Sequence, residues 1–151
     1  MTLRPARSGD AAAVADIRIA GWQTYAGLLD AAYVTGEEFA RGARAGAATW
    51  LAEVDDQGRS PAGATTFVHE TEGCVDGWVS FGPDREDPVR GEVWGLYLAP
   101  AAWGSGVAGR LLGVLYMDKK TADSGAGADA TKQMGSWFRD TGFTGFFRVS
   151  V

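Results

Sequence analysis

Hydrophobic and polar positions along the chain fall into two alternating rhythms. Residues 2–6 read as a short strand, and Ser8 or Asp10 can cap a helix over residues 11–22 with Val14, Ile17 and Gly21 on its buried side. Thr35 and Gly36, followed by Glu37 and Glu38, open a second helix that runs to about Trp50, with the acids in the first turn, where the helix dipole favours them. A polar turn covers residues 55–61. Residues 65–70 and 75–81 then read as two strands joined near Glu72 and Gly73, an antiparallel hairpin in which Val75, Gly77, Val79 and Phe81 share one face. A charged loop over residues 83–88 leads to the most apolar run of the chain, residues 93–98, which suits a central strand covered on both faces. Pro100 ends that run, Gly104 and Gly106 make a tight turn, and Val107, Leu111, Leu112 and Leu115 recur at helical spacing. Beyond Met117 the rhythm fails: residues 118–133 carry no alternating or continuous apolar run and read as loop. Residues 131–141 suit a short helix, and residues 143–151 have strand character.

Composition narrows the class. A chain of 151 residues with 46% hydrophobic residues suits one domain with a substantial core. There is no window of roughly eighteen apolar residues, as a membrane span needs, and no basic-apolar leader, so a cytoplasmic location is expected. The single Cys74 excludes an internal disulfide and a cysteine-based zinc cluster, and it reads as a small buried residue. The single His69 suits a structural or solvent-exposed imidazole better than a catalytic one, and no metal site is expected. A net charge of −5 argues against nucleic acid as a partner and accommodates a cationic or neutral small substrate. Abundant Ala, Gly, Arg and Asp suggest a bacterial source.

The strand, glycine turn and helix around residues 93–112 carry the chemistry. Free amide N–H groups at the helix start, with glycines that let a ligand approach the backbone, make a site for phosphate or pyrophosphate. A P-loop would need a Gly-Lys-Ser/Thr ending, and no lysine lies between Pro100 and Arg110. Gly104, Gly106 and Gly109 match dinucleotide-fold spacing, yet no apolar strand precedes the acids Asp123 and Asp129 that should follow. Gly95 inside the strand marks a bulge.

Trp103-Gly104-Ser105-Gly106-Val107-Ala108 resembles the Q/R-x-x-G-x-G/A loop of the GNAT N-acetyltransferase superfamily, with Trp at the Gln/Arg position. Leu3-Arg4-Pro5-Ala6 with Gly9-Asp10, Gly77 to Pro83, and Trp137 to Phe143 resemble other segments of that family, in the same order. The resemblance implies an α/β fold, a single domain over residues 1–151 with a mixed, mostly antiparallel sheet flanked by helices. It departs from the pattern at residues 118–133, where the family places an apolar strand. The usual last strand is absent or merged with residues 143–151. It implies acetyl-CoA as co-substrate, held by Leu96, Tyr97 and Leu98 of the strand and by Trp103, Gly104, Ser105, Gly106, Val107 and Ala108 of the loop. The bulge would open the gap that receives the pantetheine arm and aim a backbone N–H at the thioester carbonyl.

The implied activity is acetyl transfer to a primary amine of a small molecule, peptide or protein. A homodimer is an alternative to a monomer. Trp22 and Tyr25 are candidates for acceptor contact, although an aromatic cluster with Leu28 and Leu29 also suits a core. Glu92 is the candidate general base, directly or through water; its other reading is an exposed carboxylate at a strand end. Asp84, Glu86 and Asp87 suit attraction of a cationic amine better than proton abstraction. Where the family carries a tyrosine that protonates the leaving thiolate, this chain has Phe138, and Thr131 falls nearest to the family's asparagine. A thiolate can leave without a dedicated acid, because a thiol is itself fairly acidic, with a pKa of about 8.5. The alternative is a catalytically impaired protein of the same fold that binds acyl-CoA or a partner.

Overall fold

The computed structural model describes residues 1–86, 91–114 and the backbone of residues 147–149. Five strands form one sheet in the order β1-β2-β3-β4-β5. β1 (Thr2–Pro5), β2 (Thr65–Thr71), β3 (Cys74–Pro83) and β4 (Gly91–Leu98) pair antiparallel in succession, and β5 (Phe147–Val149) joins β4 in parallel. Between β1 and β2 lie α1 (Ala11–Gln23), the single turn α2 (Ala31–Val34) and α3 (Glu37–Leu51). After β4, α4 (Val107–Gly113) begins at the glycine turn. The stretch read as loop over residues 118–133, where the family places a strand, the short helix over 131–141, Thr131 and Phe138 lie outside the described residues, as does Asp87.

The sheet separates two cores. On one face Phe67, Val79, Phe81 and Val93 pack under Val107 and Leu111 of α4. On the other, Val68 and Trp78 pack under Val14, Ala15 and Ile17 of α1 and under Ala47 and Leu51 of α3. Successive strand residues such as Phe67 and Val68 go to opposite cores, as the pleat requires.

The local chemistry explains where the expected boundaries shift. Asp10 precedes α1, but its carboxylate is taken by Arg4 (2.8 and 2.9 Å) and by the Arg7 amide (2.7 Å) and makes no bond to the helix. Arg4 also holds Glu70 at 2.8 Å, so one guanidinium ties β1, β2 and the entry to α1 together. Asp30 caps α2, a turn the hydrophobic rhythm does not reveal, with its carboxylate accepting from the Ala32 and Tyr33 amides. Thr35 therefore belongs to the end of α2, where its hydroxyl donates to the Ala31 carbonyl, and Gly36 stands before α3. The β2–β3 hairpin turns at Glu72 and Gly73, both with positive φ (53° and 81°), the pair of values a two-residue type I′ turn demands.

Two bulges interrupt β3 and β4. His69 pairs with Gly77 and Glu70 with Val75, leaving Asp76 as an extra residue. The alternation slips there, so Val75 packs with the α1–α3 core while Val79 and Phe81 pack with the α4 core. The expectation of one shared face for Val75, Gly77, Val79 and Phe81 fails for this reason. In β4, Ser80 pairs with Gly95 and Phe81 with Val93, so Trp94 is the extra residue. The bulge expected at Gly95 therefore includes Trp94. Cys74, expected to be buried, opens β3 beside the hairpin turn and is exposed.

The Arg4–Asp10 pair has a pH signature. Burial raises the Asp10 pKa, but the hydrogen bonds from Arg4 and from the Arg7 amide together lower it by more, leaving it below the usual carboxylate value. A depressed folded-state pKa contributes stability that is present above the unfolded value of about 3.9 and is lost as pH falls through the folded one. Asp10→Asn should thus lower the melting temperature at pH 7 and flatten the loss of stability below about pH 4. Melts from pH 3 to 7 check this, and parallel curves for the two proteins would refute it.

Candidate active site

The β4 bulge lies where two clefts meet. One cleft, about 690 Å3, runs along Gly95, Leu96, Tyr97 and Leu98 and is closed by the end of α1, the segment carrying Tyr25, Leu28 and Leu29, and Trp103. The other, about 930 Å3, lies between α1, α3 and the sheet, above Trp78, Ser80 and Trp94. Trp22 and Tyr97 line both. The Trp22 indole Nε1 donates to the Tyr97 hydroxyl at 3.0 Å, so the partition between the clefts is itself hydrogen-bonded.

Gly95 and Gly21 permit this arrangement. A Cβ on Gly95 would stand 2.9 Å from the Trp78 ring, and one on Gly21 would stand 3.1 Å from Tyr97. Trp78 and Tyr97 stack at 4.9 Å with 28° between planes. Trp78 also donates from its indole to the Val14 carbonyl at 3.1 Å, which fixes α1 over the stack. Among the described residues β5 pairs only with Gly91, Glu92 and Val93, and no described strand borders the Trp94–Leu98 part of that edge.

Beyond β4, Pro100–Ala102 form a 3-10 turn. The Trp103 indole donates to the Leu98 carbonyl at 3.2 Å, pinning the loop to the strand end. Gly104 (φ 74°) and Gly106 (φ 85°) take left-handed conformations open to glycine at little cost, and all four residues 103–106 are exposed. The first helical backbone bond past the turn runs from the Arg110 amide to the Gly106 carbonyl at 3.2 Å. The amides of Val107, Ala108 and Gly109 thus precede the helical ladder.

Trp22 and Tyr25 stand in cleft walls. Tyr25 is half exposed and Leu28 mostly exposed, so this cluster covers the cleft and is not core. Glu92 is buried, not exposed: its carboxylate is 3% accessible and accepts from Arg85 through Nη2 (2.6 Å), Nε (3.1 Å) and the backbone amide (3.3 Å). The hydrogen bonds it donates to Glu92 hold the Arg85 guanidinium above its ordinary pKa. Arg85 is 61% exposed, lies over the Trp94 ring at 5.6 Å, and lines the larger cleft, while Glu92 lines neither. His69 is 1% exposed, with Nδ1 2.6 Å from Asp76, whose other oxygen accepts from Thr71. It anchors the β3 bulge away from both clefts. Sequence reasoning missed Arg18, Trp50 and Trp78 as cleft residues, because each comes from a separate element and only the packing of α1 and α3 on the sheet unites them. Among the described residues no group of His, Cys, Asp and Glu could hold a metal, and no helix is long and apolar enough to cross a membrane.

The sequence model of the acetyltransferase (GNAT) family matches residues 28–127. The chain belongs to the GNAT acetyltransferase family, a family of acyltransferases that use acetyl-CoA. The fold is shared with a PaiA N-acetyltransferase from Thermoplasma acidophilum solved with coenzyme A, at TM-score 0.58 and 15% identity over 74% of this chain and 68% of that one. It is shared with a GCN5-related N-acetyltransferase from Ralstonia eutropha, at TM-score 0.56 and 16% identity over 99% and 82% of the two chains. It is shared with an aminoglycoside 6′-N-acetyltransferase from Acinetobacter haemolyticus, at TM-score 0.53 and 15% identity over 100% of this chain and 79% of that one. No curated protein sequence gives a significant match.

Proposed function

We propose that the protein is an N-acetyltransferase of the cytoplasm that moves the acetyl group of acetyl-CoA to a primary amine. The observation that carries this reading is the meeting of two clefts at the β4 bulge, one leading from the glycine loop and one walled by α1 and α3. The loop residues Trp103 to Ala108 would hold the diphosphate on backbone amides. Leu96, Tyr97 and Leu98 would line the narrower cleft along the pantetheine arm. The thioester would then arrive at Trp94 and Gly95, and the amine would approach from the larger cleft past Trp22. Tyr25 would close the narrower cleft from the other side.

In the reaction the neutral amine nitrogen bonds to the thioester carbon, the carbonyl oxygen gains negative charge, and the C–S bond breaks to release CoA thiolate. The nitrogen gives up one proton, and the thiolate takes one from the site or solvent. Holding both reactants at the bulge supplies the entropic part of the rate, and a backbone amide of the bulge supplies the oxyanion donor.

Glu92 is the proton acceptor in this proposal, with Arg85 as its gate. A carboxylate held by a guanidinium is a weak base, because the cation favours its charged form. Arg85 is mostly exposed, however, and its departure from Glu92 opens the carboxylate to the larger cleft through water. Glu92→Gln should lower kcat by about 100-fold or more with little change in KM, and should remove the acidic limb of the kcat profile. An unchanged pH profile with only a lower melting temperature would assign Glu92 to structure alone. Release of CoA thiol from acetyl-CoA across a panel of amines tests the activity, and a folded protein that binds acetyl-CoA but acetylates none of them would overturn it.

A further inference from the structure

The larger cleft carries information on the acceptor. Four of the six tryptophans of the chain, Trp22, Trp50, Trp78 and Trp94, line it together with Tyr97. Their indole N–H groups are all spent inside the protein. Trp22 donates to Tyr97, Trp50 to the Thr66 hydroxyl (3.2 Å), Trp78 to the Val14 carbonyl and Trp94 to the Pro83 carbonyl (3.2 Å). The walls thus offer ring faces and edges but no indole donor, and they favour a flat apolar body.

Polar recognition falls to the other lining groups. The Ser80 hydroxyl is engaged by Thr66 at 3.2 Å, and Arg85 by Glu92. Arg18 is different. It makes no ion pair or hydrogen bond with any described residue, and its Nε is shut off from solvent without a partner. It lies on α1 four residues from Val14, which receives the Trp78 indole, and four from Trp22, which donates to Tyr97. This spacing sets Arg18 on the same side of the helix, between the two points that anchor α1 above the Trp78–Tyr97 stack. A guanidinium is always charged, and an unmet donor on it is costly. A carboxylate, which can take two of its N–H groups at once, is the ligand group that fits. Glu53 lines the same cleft, so the wall is not uniformly positive and suits a zwitterion better than a bare anion. Two arginines on the wall oppose a polycation.

We propose that the acceptor is an aromatic amine that carries a carboxylate, of the aromatic amino acid class, with Arg18 holding the carboxylate and the tryptophans holding the ring. This rests on the larger cleft being the acceptor site. The test is titration of the whole chain by intrinsic tryptophan fluorescence, without acetyl-CoA, using phenylalanine, phenethylamine, glycine and 3-phenylpropionate. Phenylalanine should bind, and loss of its carboxylate (phenethylamine) or of its ring (glycine) should weaken binding about tenfold or more. 3-Phenylpropionate, which lacks the ammonium, should bind more weakly than phenylalanine. Arg18→Gln should weaken phenylalanine about tenfold and leave phenethylamine unchanged, with Arg18→Lys in between. Phenethylamine binding as tightly as phenylalanine, or Arg18→Gln weakening both alike, would overturn the proposal, as would no binding of phenylalanine. Adding acetyl-CoA separates the two readings. Phenylalanine that binds through Arg18 but releases no CoA thiol refutes the acetyl-transfer reading alone. Thiol release with other amines and no phenylalanine binding refutes the acceptor class alone.

Discussion

Gly106→Glu should yield a folded protein that no longer binds acetyl-CoA. Gly106 sits at φ 85° directly before α4, where the amides of Val107, Ala108 and Gly109 precede the helical ladder. A carboxylate there would compete for those amides and repel a diphosphate across a few ångströms. Backbone strain alone does not account for the expected loss. Gly106→Ala carries the same left-handed strain, about 1–2 kcal/mol, but adds no charge. Its Cβ would meet only an Arg110 nitrogen at 3.8 Å, so binding should survive, though weakened. Isothermal titration with acetyl-CoA, and with CoA as control, measures both variants. Unchanged affinity in Gly106→Glu would remove the loop from the site.

Gly95→Val should disable both clefts at once. The first carbon of any side chain at Gly95 falls 2.9 Å from two atoms of the Trp78 ring and 3.3 Å from Tyr97. Trp78 cannot retreat cheaply, since it is buried and bonded to the Val14 carbonyl. Overpacking of this kind costs about 1–3 kcal/mol, which for a chain of this size lowers the melting temperature by several degrees. The displaced Trp78–Tyr97 stack would disturb the wall shared by the clefts, so acetyl-CoA binding and turnover should fall together. Gly95→Ala should show the same effects in reduced form. A melting temperature and turnover equal to those of the parent protein would show that β4 flexes at the bulge and that glycine is not required there.

Local chemistry made much of this legible in the sequence. The β2–β3 hairpin, α1, α3 and the strand-turn-helix around Gly104 and Gly106 follow from periodicity, glycine placement and acidic helix starts. Bulges defeat such reasoning in part. Gly95 announces one, but nothing at Asp76 does, and a single inserted residue moved Val75 to the opposite core. Capping chemistry also misleads when a tertiary partner outbids the helix, as Arg4 does for Asp10. Residues of the candidate site followed the same division. The loop residues are contiguous and readable. The larger cleft draws on α1, α3, β3 and β4, and Arg18 and Trp50 belong to it only through packing. Glu92 was recognisable as a carboxylate near the bulge, but its Arg85 clamp comes from a loop whose fold the sequence does not specify.

The aromatic wall has a consequence for how such an enzyme could change its substrate. Trp78 and Tyr97 are at once the floor of the cleft and the seat on which α1 rests. Reshaping the pocket at either position would spend stability and specificity in one stroke, and truncating a buried tryptophan costs about 3–5 kcal/mol. Arg18, Glu53 and the rim around Trp94 carry no such double duty. Evolvability is therefore concentrated at the rim, and new acceptors are reached most readily by exchanging charge there while the indole floor stays fixed.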